Sequence, residues 1–249
     1  MGIMCPPGQA TDVRVEVTSA LVNLRDLGGL PLAGGGTTRA GVLYRSDAPY
    51  PGDDDPAHVE VWPPSTVIDL RSSREVERFP FEWGTSTRVH RHEVHDAAMP
   101  ANLPREADLL SLYETILDTV PQRIAGAVDL AATAPEGPVL VHCAAGKDRT
   151  GIVVAALLLS VGVTPDAVVA DYLATEANMA ALEERWVAQQ VRPRGEPPLR
   201  PSWLLTPRPA ITAVVDRMAG WPGGVAGWLT AHGAAPEHID AWRERFADR

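Results

Sequence analysis

Apolar residues recur along the chain in two periods, and the switches between them mark out the elements. Short runs rich in β-branched residues at Val42–Arg45, Thr66–Leu70, Arg88–Val94 and Pro138–His142 are bounded by turn residues and predict strands. Helical spacing fills Arg105–Asp118, where Leu109, Leu112, Tyr113 and Ile116 recur, and continues over Gln122–Thr133. A long apolar run predicts a buried helix over Asp148–Val161, stopped near Gly162. Thr164-Pro165-Asp166 then opens another, with a cap and a proline at the first helical position. Strands alternating with helices imply an α/β fold with a mostly parallel central sheet flanked by helices.

The later third of the chain is patterned differently. Leu182, Trp186 and Val187 share a helical face, and a proline-rich stretch from Arg192 to Pro209, holding Trp203, follows. Helices are predicted at Ala210–Met218, Val225–Leu229 and Pro236–Phe246. The span 178–219 reads as a helical subdomain packed on the sheet, helix pairs with short links being common. Residues 1–12 read as a disordered tail, and 13–249 as a single domain, which a length of 249 residues suits.

Composition changes the picture in two places. A net charge of −10 sets the surface against nucleic acid and anionic membranes, so neither is an expected partner. Cys5 and Cys143 are the whole cysteine complement, too few for a disulfide framework, which points to a reducing compartment. The N-terminus shows no basic region followed by an apolar stretch, so no signal peptide is read there and a cytoplasmic placement is expected. Ile152–Val161 is about half a membrane span.

The chemistry concentrates in His142-Cys143-Ala144-Ala145-Gly146-Lys147-Asp148-Arg149-Thr150-Gly151, which holds the one lysine of the chain. A strand, a tight loop and a helix N-terminus in this order aim successive backbone N–H groups at one point and favour an anion there. The same setting favours the thiolate of Cys143, the nucleophilic form. Arg149 offers a planar fork able to hold two phosphate oxygens, which lysine cannot match. Thr150 places a hydroxyl beside the sulfur, and His142 braces the loop through its ring nitrogens. Gly146 and Gly151 allow tight backbone and close packing. A nucleotide-binding loop is excluded, because Lys147 is followed by Asp148 where Ser or Thr is required. His90 and His92 would share a strand face, but the spacing matches no standard metallohydrolase pattern, and no metal or other cofactor is expected.

These residues carry a resemblance. His-Cys-x5-Arg-Thr-Gly is similar to the signature of the cysteine-dependent tyrosine phosphatases. Four further segments resemble the bacterial tyrosine phosphatase B type, best known from secreted mycobacterial enzymes: Asn23–Gly29, Val42–Ser46, Asp69–Val76 and Ala170–Leu173. The resemblance implies a tyrosine-phosphatase-like fold and hydrolysis of phosphotyrosine, with phosphoserine, phosphothreonine and phosphoinositides also accepted. It implies substrate contacts from Ala144, Ala145, Gly146, Lys147 and Arg74, and makes Asp148 the first choice for the general acid. Asp96 is the second choice, placed to reach the mouth. Asp69 is the third, against a structural role beside Arg71. It offers a lid over the site as the other reading of 178–219, and export without a cleaved signal as the other placement. A basic mouth from Arg71, Arg74, Lys147 and Arg149 would offset the acidic surface. Asn23, Arg25 and Asp26 are expected to hold the N-terminal turn. Two rival readings stay open: an inactive phosphate-binding module, and an arsenate-reductase-like enzyme, which would need further cysteines.

Overall fold

A computed structural model of the chain describes residues 20–94, 108–191 and 204–248. Its strands are β1 (Arg25–Asp26), β2 (Thr37–Thr38), β3 (Leu43–Ser46), β4 (Thr66–Asp69), β5 (Arg88–Arg91), β6 (Val139–His142) and β7 (Ala247–Asp248). The main sheet has the order β1-β3-β6-β4-β5, with β3, β6, β4 and β5 parallel and β1 antiparallel at one edge. β2 and β7 form a separate two-stranded pair. The central strands are buried on both faces, as their unbroken apolar runs require. β5 lies at the other edge with its residues partly or fully exposed.

The helices are α1 (Ser73–Arg78), α2 (Leu109–Thr119), α3 (Pro121–Ala132), α4 (Asp148–Ser160), α5 (Pro165–Ala174), α6 (Met179–Ala188), α7 (Arg208–Ala219), α8 (Gly224–Ala231) and α9 (Pro236–Phe246). One continuous core joins Leu43, Ile68, Val139 and Val141 of the sheet to apolar faces of α2–α5 and α7–α9. The opposite face, with Tyr44, Val67 and Leu140, is covered by Leu21, Leu24, Val59, Trp62 and Trp83. Every residue of α4 from Arg149 to Ser160 is buried, so this helix runs through the core. Ile152, Val153, Leu157 and Leu158 each gain roughly 1.5–3 kcal/mol from leaving water. Among the described residues no helix is long and apolar enough to cross a membrane.

The observed elements fall within a few residues of the predicted ones, and α9 matches its predicted span. Two differences have clear causes. Val187 does not share the buried face of Leu182 and Trp186; it is 37% exposed, one step beyond Trp186 around the helix. α1 was not expected, because its six residues are too few to show a period. What starts it is a capping box, with Ser72 Oγ accepting from the Glu75 N–H and the Glu75 carboxylate accepting from the Ser72 N–H. The predicted tail, Cys5, Asp96, Arg105 and Trp203 lie outside the described residues.

Candidate active site

Three parallel strands end on one level. Ser46 of β3 and Asp69 of β4 both pair with His142 of β6. The next residue on β6 is Cys143, so the thiol stands at the carboxyl edge of the sheet, where ligands of open α/β sheets bind. Cys143 is free and 2% exposed. The loop then turns through Gly146 at φ +68 and enters α4. A Cβ at Gly146 would lie 2.4 Å from the Ser46 carbonyl oxygen, so glycine is needed here twice over, for its backbone angle and for its size. No side chain caps the N-terminus of α4, which leaves its leading N–H groups to an anion.

Arg149, in the first turn of α4, is 4% exposed and faces a carboxylate. Its two terminal nitrogens donate to Glu75 Oε2 and Oε1, each at 2.7 Å. Burial opposes the charge of Arg149, but its hydrogen bonds and ion pair with Glu75 outweigh it and raise the guanidinium pKa. Burial likewise opposes the Glu75 anion, and Arg149 outweighs it, holding that carboxyl below its ordinary value. The capping box of α1 thus aims Glu75 and sets the angle of the arginine fork.

Neighbouring groups hold the loop from below. His142 is fully buried and donates from Nδ1 to the Cys143 carbonyl at 3.2 Å. Burial lowers its pKa to about 4, so the ring is neutral near pH 7. Asn23 Nδ2 donates to the Ala145 carbonyl at 2.7 Å, and Arg45 donates to the Gly146 carbonyl at 2.8 Å. Arg45 is in turn paired with Asp171, which also accepts from Arg25 at 2.8 Å. Arg185 of α6 ties Asp47 and Asp53 to the same edge, at 3.1 and 2.6 Å. Burial pushes the Asp47 carboxyl up to about 6 despite Arg185. Thr150 Oγ1 is buried and has no hydrogen-bond partner among the described residues, the sulfur of Cys143 included.

The other side of the loop carries the remaining charges. Asp148, at the head of α4, keeps 19% of its side chain exposed. Its Oδ1 accepts from the Tyr113 hydroxyl at 2.7 Å and lies 3.6 Å from Lys147 Nζ. Lys147 is 1% exposed and donates to the Leu205 carbonyl at 3.0 Å. The adjoining Thr206 donates to Glu176 from both its N–H and its hydroxyl. Residues 204–206 therefore lie directly against the loop.

A sequence model of the tyrosine phosphatase family matches residues 17–248. The chain belongs to that family. A putative tyrosine-protein phosphatase of Cupriavidus necator is 33% identical over 180 residues, covering 67% of this chain and 65% of that protein. The triple specificity protein phosphatase PtpB of Mycobacterium tuberculosis is 45% identical over 64 residues, 26% of this chain and 23% of that protein. The chain thus spans less than two thirds of the length of either relative.

Within this tyrosine phosphatase scaffold, His142, Cys143, Ala144, Ala145, Gly146, Lys147, Asp148, Arg149 and Thr150 come together on one loop and helix start. Arg74 sits exposed on α1, next to Glu75, and makes no described contact with the loop. Asp96 lies outside the described residues. Asp69 is fully buried among Arg71, Arg91 and His142. Burial would raise its pKa, but His142 and Arg71 outweigh that and hold it well below the carboxylate range, which fits the structural role. The basic mouth is smaller than expected, because Arg71 serves Asp69 and Lys147 is covered. Asp26 binds the Gly28 and Gly41 amides of the N-terminal turn and Arg25 donates to the Asn23 carbonyl within it, while Asn23 also holds the Cys143–Arg149 loop and Arg25 also holds α5. Sequence reasoning missed Glu75, Tyr113, Arg45 and Asp171 as site supports. For Glu75 a signal existed in the Ser72-x-x-Glu75 spacing.

Proposed function

We propose that the chain is a metal-independent phosphomonoesterase acting on protein phosphotyrosine through a phosphocysteine intermediate. The observation that carries this reading is the placement of Cys143 at the end of β6 and of Arg149 in the first turn of α4, with the Arg149 fork fixed from behind by Glu75. The Cys143 thiolate attacks phosphorus and forms the S–P bond as the P–O bond to the leaving group breaks. Asp148 gives its proton to the departing oxygen. Arg149 and the loop N–H groups hold the three equatorial oxygens, on which the charge of the transition state is spread. In the second step Asp148 takes a proton from water, whose oxygen attacks phosphorus. The S–P bond breaks, phosphate leaves, and the thiolate returns.

Phosphoserine, phosphothreonine and phosphoinositides are candidate further substrates, in line with the triple specificity named for the mycobacterial relative. The placement of Lys147 bears on the lipid. Its ammonium is covered, donating to Leu205 and lying beside Asp148, which favours local charge support over a second phosphate site. Turnover of an aryl phosphate in chelator is the direct test. Cys143→Ser should abolish turnover and keep vanadate binding, because the clamp remains. Turnover of the variant within about ten-fold of wild type would remove Cys143 from the mechanism. No turnover by the wild-type chain, with phosphate still bound, would favour the inactive binding module. Arsenate reduction requires a second thiol, and Cys143 is the one cysteine among the described residues.

A further inference from the structure

We infer that Tyr113 is a positioning residue for Asp148, itself held by Tyr172, so that a pair of buried phenols sets the geometry of the proton donor. The inference rests on the reading of Asp148 as the general acid and adds to it what makes that acid effective. Tyr113 comes from α2, Tyr172 from α5 and Asp148 from α4, so three separate elements converge. The Tyr113 hydroxyl donates to Asp148 Oδ1 at 2.7 Å and meets the Tyr172 hydroxyl at 2.7 Å. With its own proton directed at the carboxylate, Tyr113 accepts that of Tyr172. The resulting chain runs Tyr172 O–H, Tyr113 O–H, Asp148 Oδ1.

Packing fixes this chain in place. Tyr113 is fully buried and Tyr172 is 1% exposed, and their rings cross edge-on with centroids 6.1 Å apart. Tyr172 lies so close to α4 that a Cβ at Gly151 would sit 2.9 Å from its ring. The glycine one turn inside α4 thus makes room for the phenol that supports the phenol on Asp148. Both phenols stay protonated, since burial first and the Asp148 charge second push their pKa values up. They act as donors, not as proton carriers.

The consequence is a division of labour within one carboxyl group. Tyr113 and Lys147 both approach Oδ1, which leaves Oδ2 to carry the proton toward the leaving oxygen. An unheld carboxyl would sample several rotamers, and proton transfer requires hydrogen-bond reach in the transition state. Tyr113 thereby assists the steps in which Asp148 acts and leaves phosphate binding to Arg149 and the loop.

The test compares kcat/KM on phenyl phosphate, whose phenol leaves poorly, with that on p-nitrophenyl phosphate, whose phenol leaves well. Tyr113→Phe should lose on the order of ten-fold on the first, the scale of one hydrogen bond to a charged group, and less than about two-fold on the second. Vanadate affinity should be unchanged. Asp148→Asn should show the same selectivity more strongly, and Tyr113→Phe added to Asp148→Asn should cost nothing further. Tyr172→Phe, one bond farther along, should give a smaller loss of the same sign, and it serves if Tyr113→Phe folds poorly. Equal losses on both substrates, or none, would overturn the positioning role while leaving Asp148 as the acid. Absence of leaving-group selectivity in Asp148→Asn would instead sink the acid itself, and this inference with it.

Discussion

Glu75→Gln is the most informative single change outside the loop. Glu75 Oε2 accepts from Arg149 at 2.7 Å and from the Ser72 N–H at 2.8 Å, while Oε1 accepts from the other arginine nitrogen at 2.7 Å. A glutamine has one acceptor oxygen. Placed at the Oε2 position, that oxygen keeps the capping box and one arginine bond, and the amide NH2 then faces the second arginine nitrogen, donor against donor. Reversed, two bonds are lost. The first arrangement wins, and the variant loses one charge-assisted hydrogen bond and the compensating charge of a buried pair. A bond of this kind contributes about 1.5–3 kcal/mol, and breaking a buried pair outright costs about 3–5. A loss of roughly 3 kcal/mol is expected from urea unfolding at pH 7. The pH dependence fixes the cause. The folded pKa of Glu75 is depressed from 4.5, so its contribution is complete above that value and lost as pH falls through the folded one. The gap between wild type and variant should therefore close below about pH 4.5. With the fork misaligned, kcat/KM on an aryl phosphate should fall at least about ten-fold. A variant within about 0.5 kcal/mol and two-fold of wild type would show that Glu75 does not set Arg149.

Two further outcomes are expected. His142 has a folded pKa of about 4 against an ordinary 6.5, so it contributes stability above pH 6.5 that is lost as pH falls to 4. Comparing wild type with His142→Gln across that window isolates the effect, because the opposing change from Asp47, raised to about 6, is common to both; a constant difference would refute it. Gly146→Ala must place a Cβ 2.4 Å from the Ser46 carbonyl at φ +68, so turnover should fall on the order of a hundred-fold through loop displacement. Full activity with an unmoved loop in a crystal structure of that variant would contradict the packing argument.

The sequence announced the parts of the site that follow one another along the chain. The run Val139–Val141, the turn at Gly146 and the apolar face after Asp148 are a strand, a loop and a helix by pattern alone, and the chemistry rides on them. Groups that converge from distant elements left no such trace. Tyr113 was legible as a core residue of α2, and nothing in its spacing indicated that its hydroxyl would find Asp148, 35 positions away. Arg45 sits in an apolar strand, and its partners Asp171 and Gly146 are supplied by the tertiary fold. On α1 the resemblance pointed to Arg74 and Glu75 went unnoticed, because which way a six-residue helix faces is something no period can reveal. Composition misled in one respect: counting cations near the loop overstated the free positive charge, because Arg71 closes on Asp69 two residues away.

The burial of α4 ties the Cys143–Arg149 loop to the most cooperative part of the molecule. Amide hydrogens along Ile152–Leu158 have no route to solvent short of opening the main core, so they should exchange at the rate of global unfolding. The loop that precedes them inherits that rigidity at its helical end. Turnover and the protection of these amides are therefore expected to be lost together on heating, which parallel activity and hydrogen-exchange measurements would check.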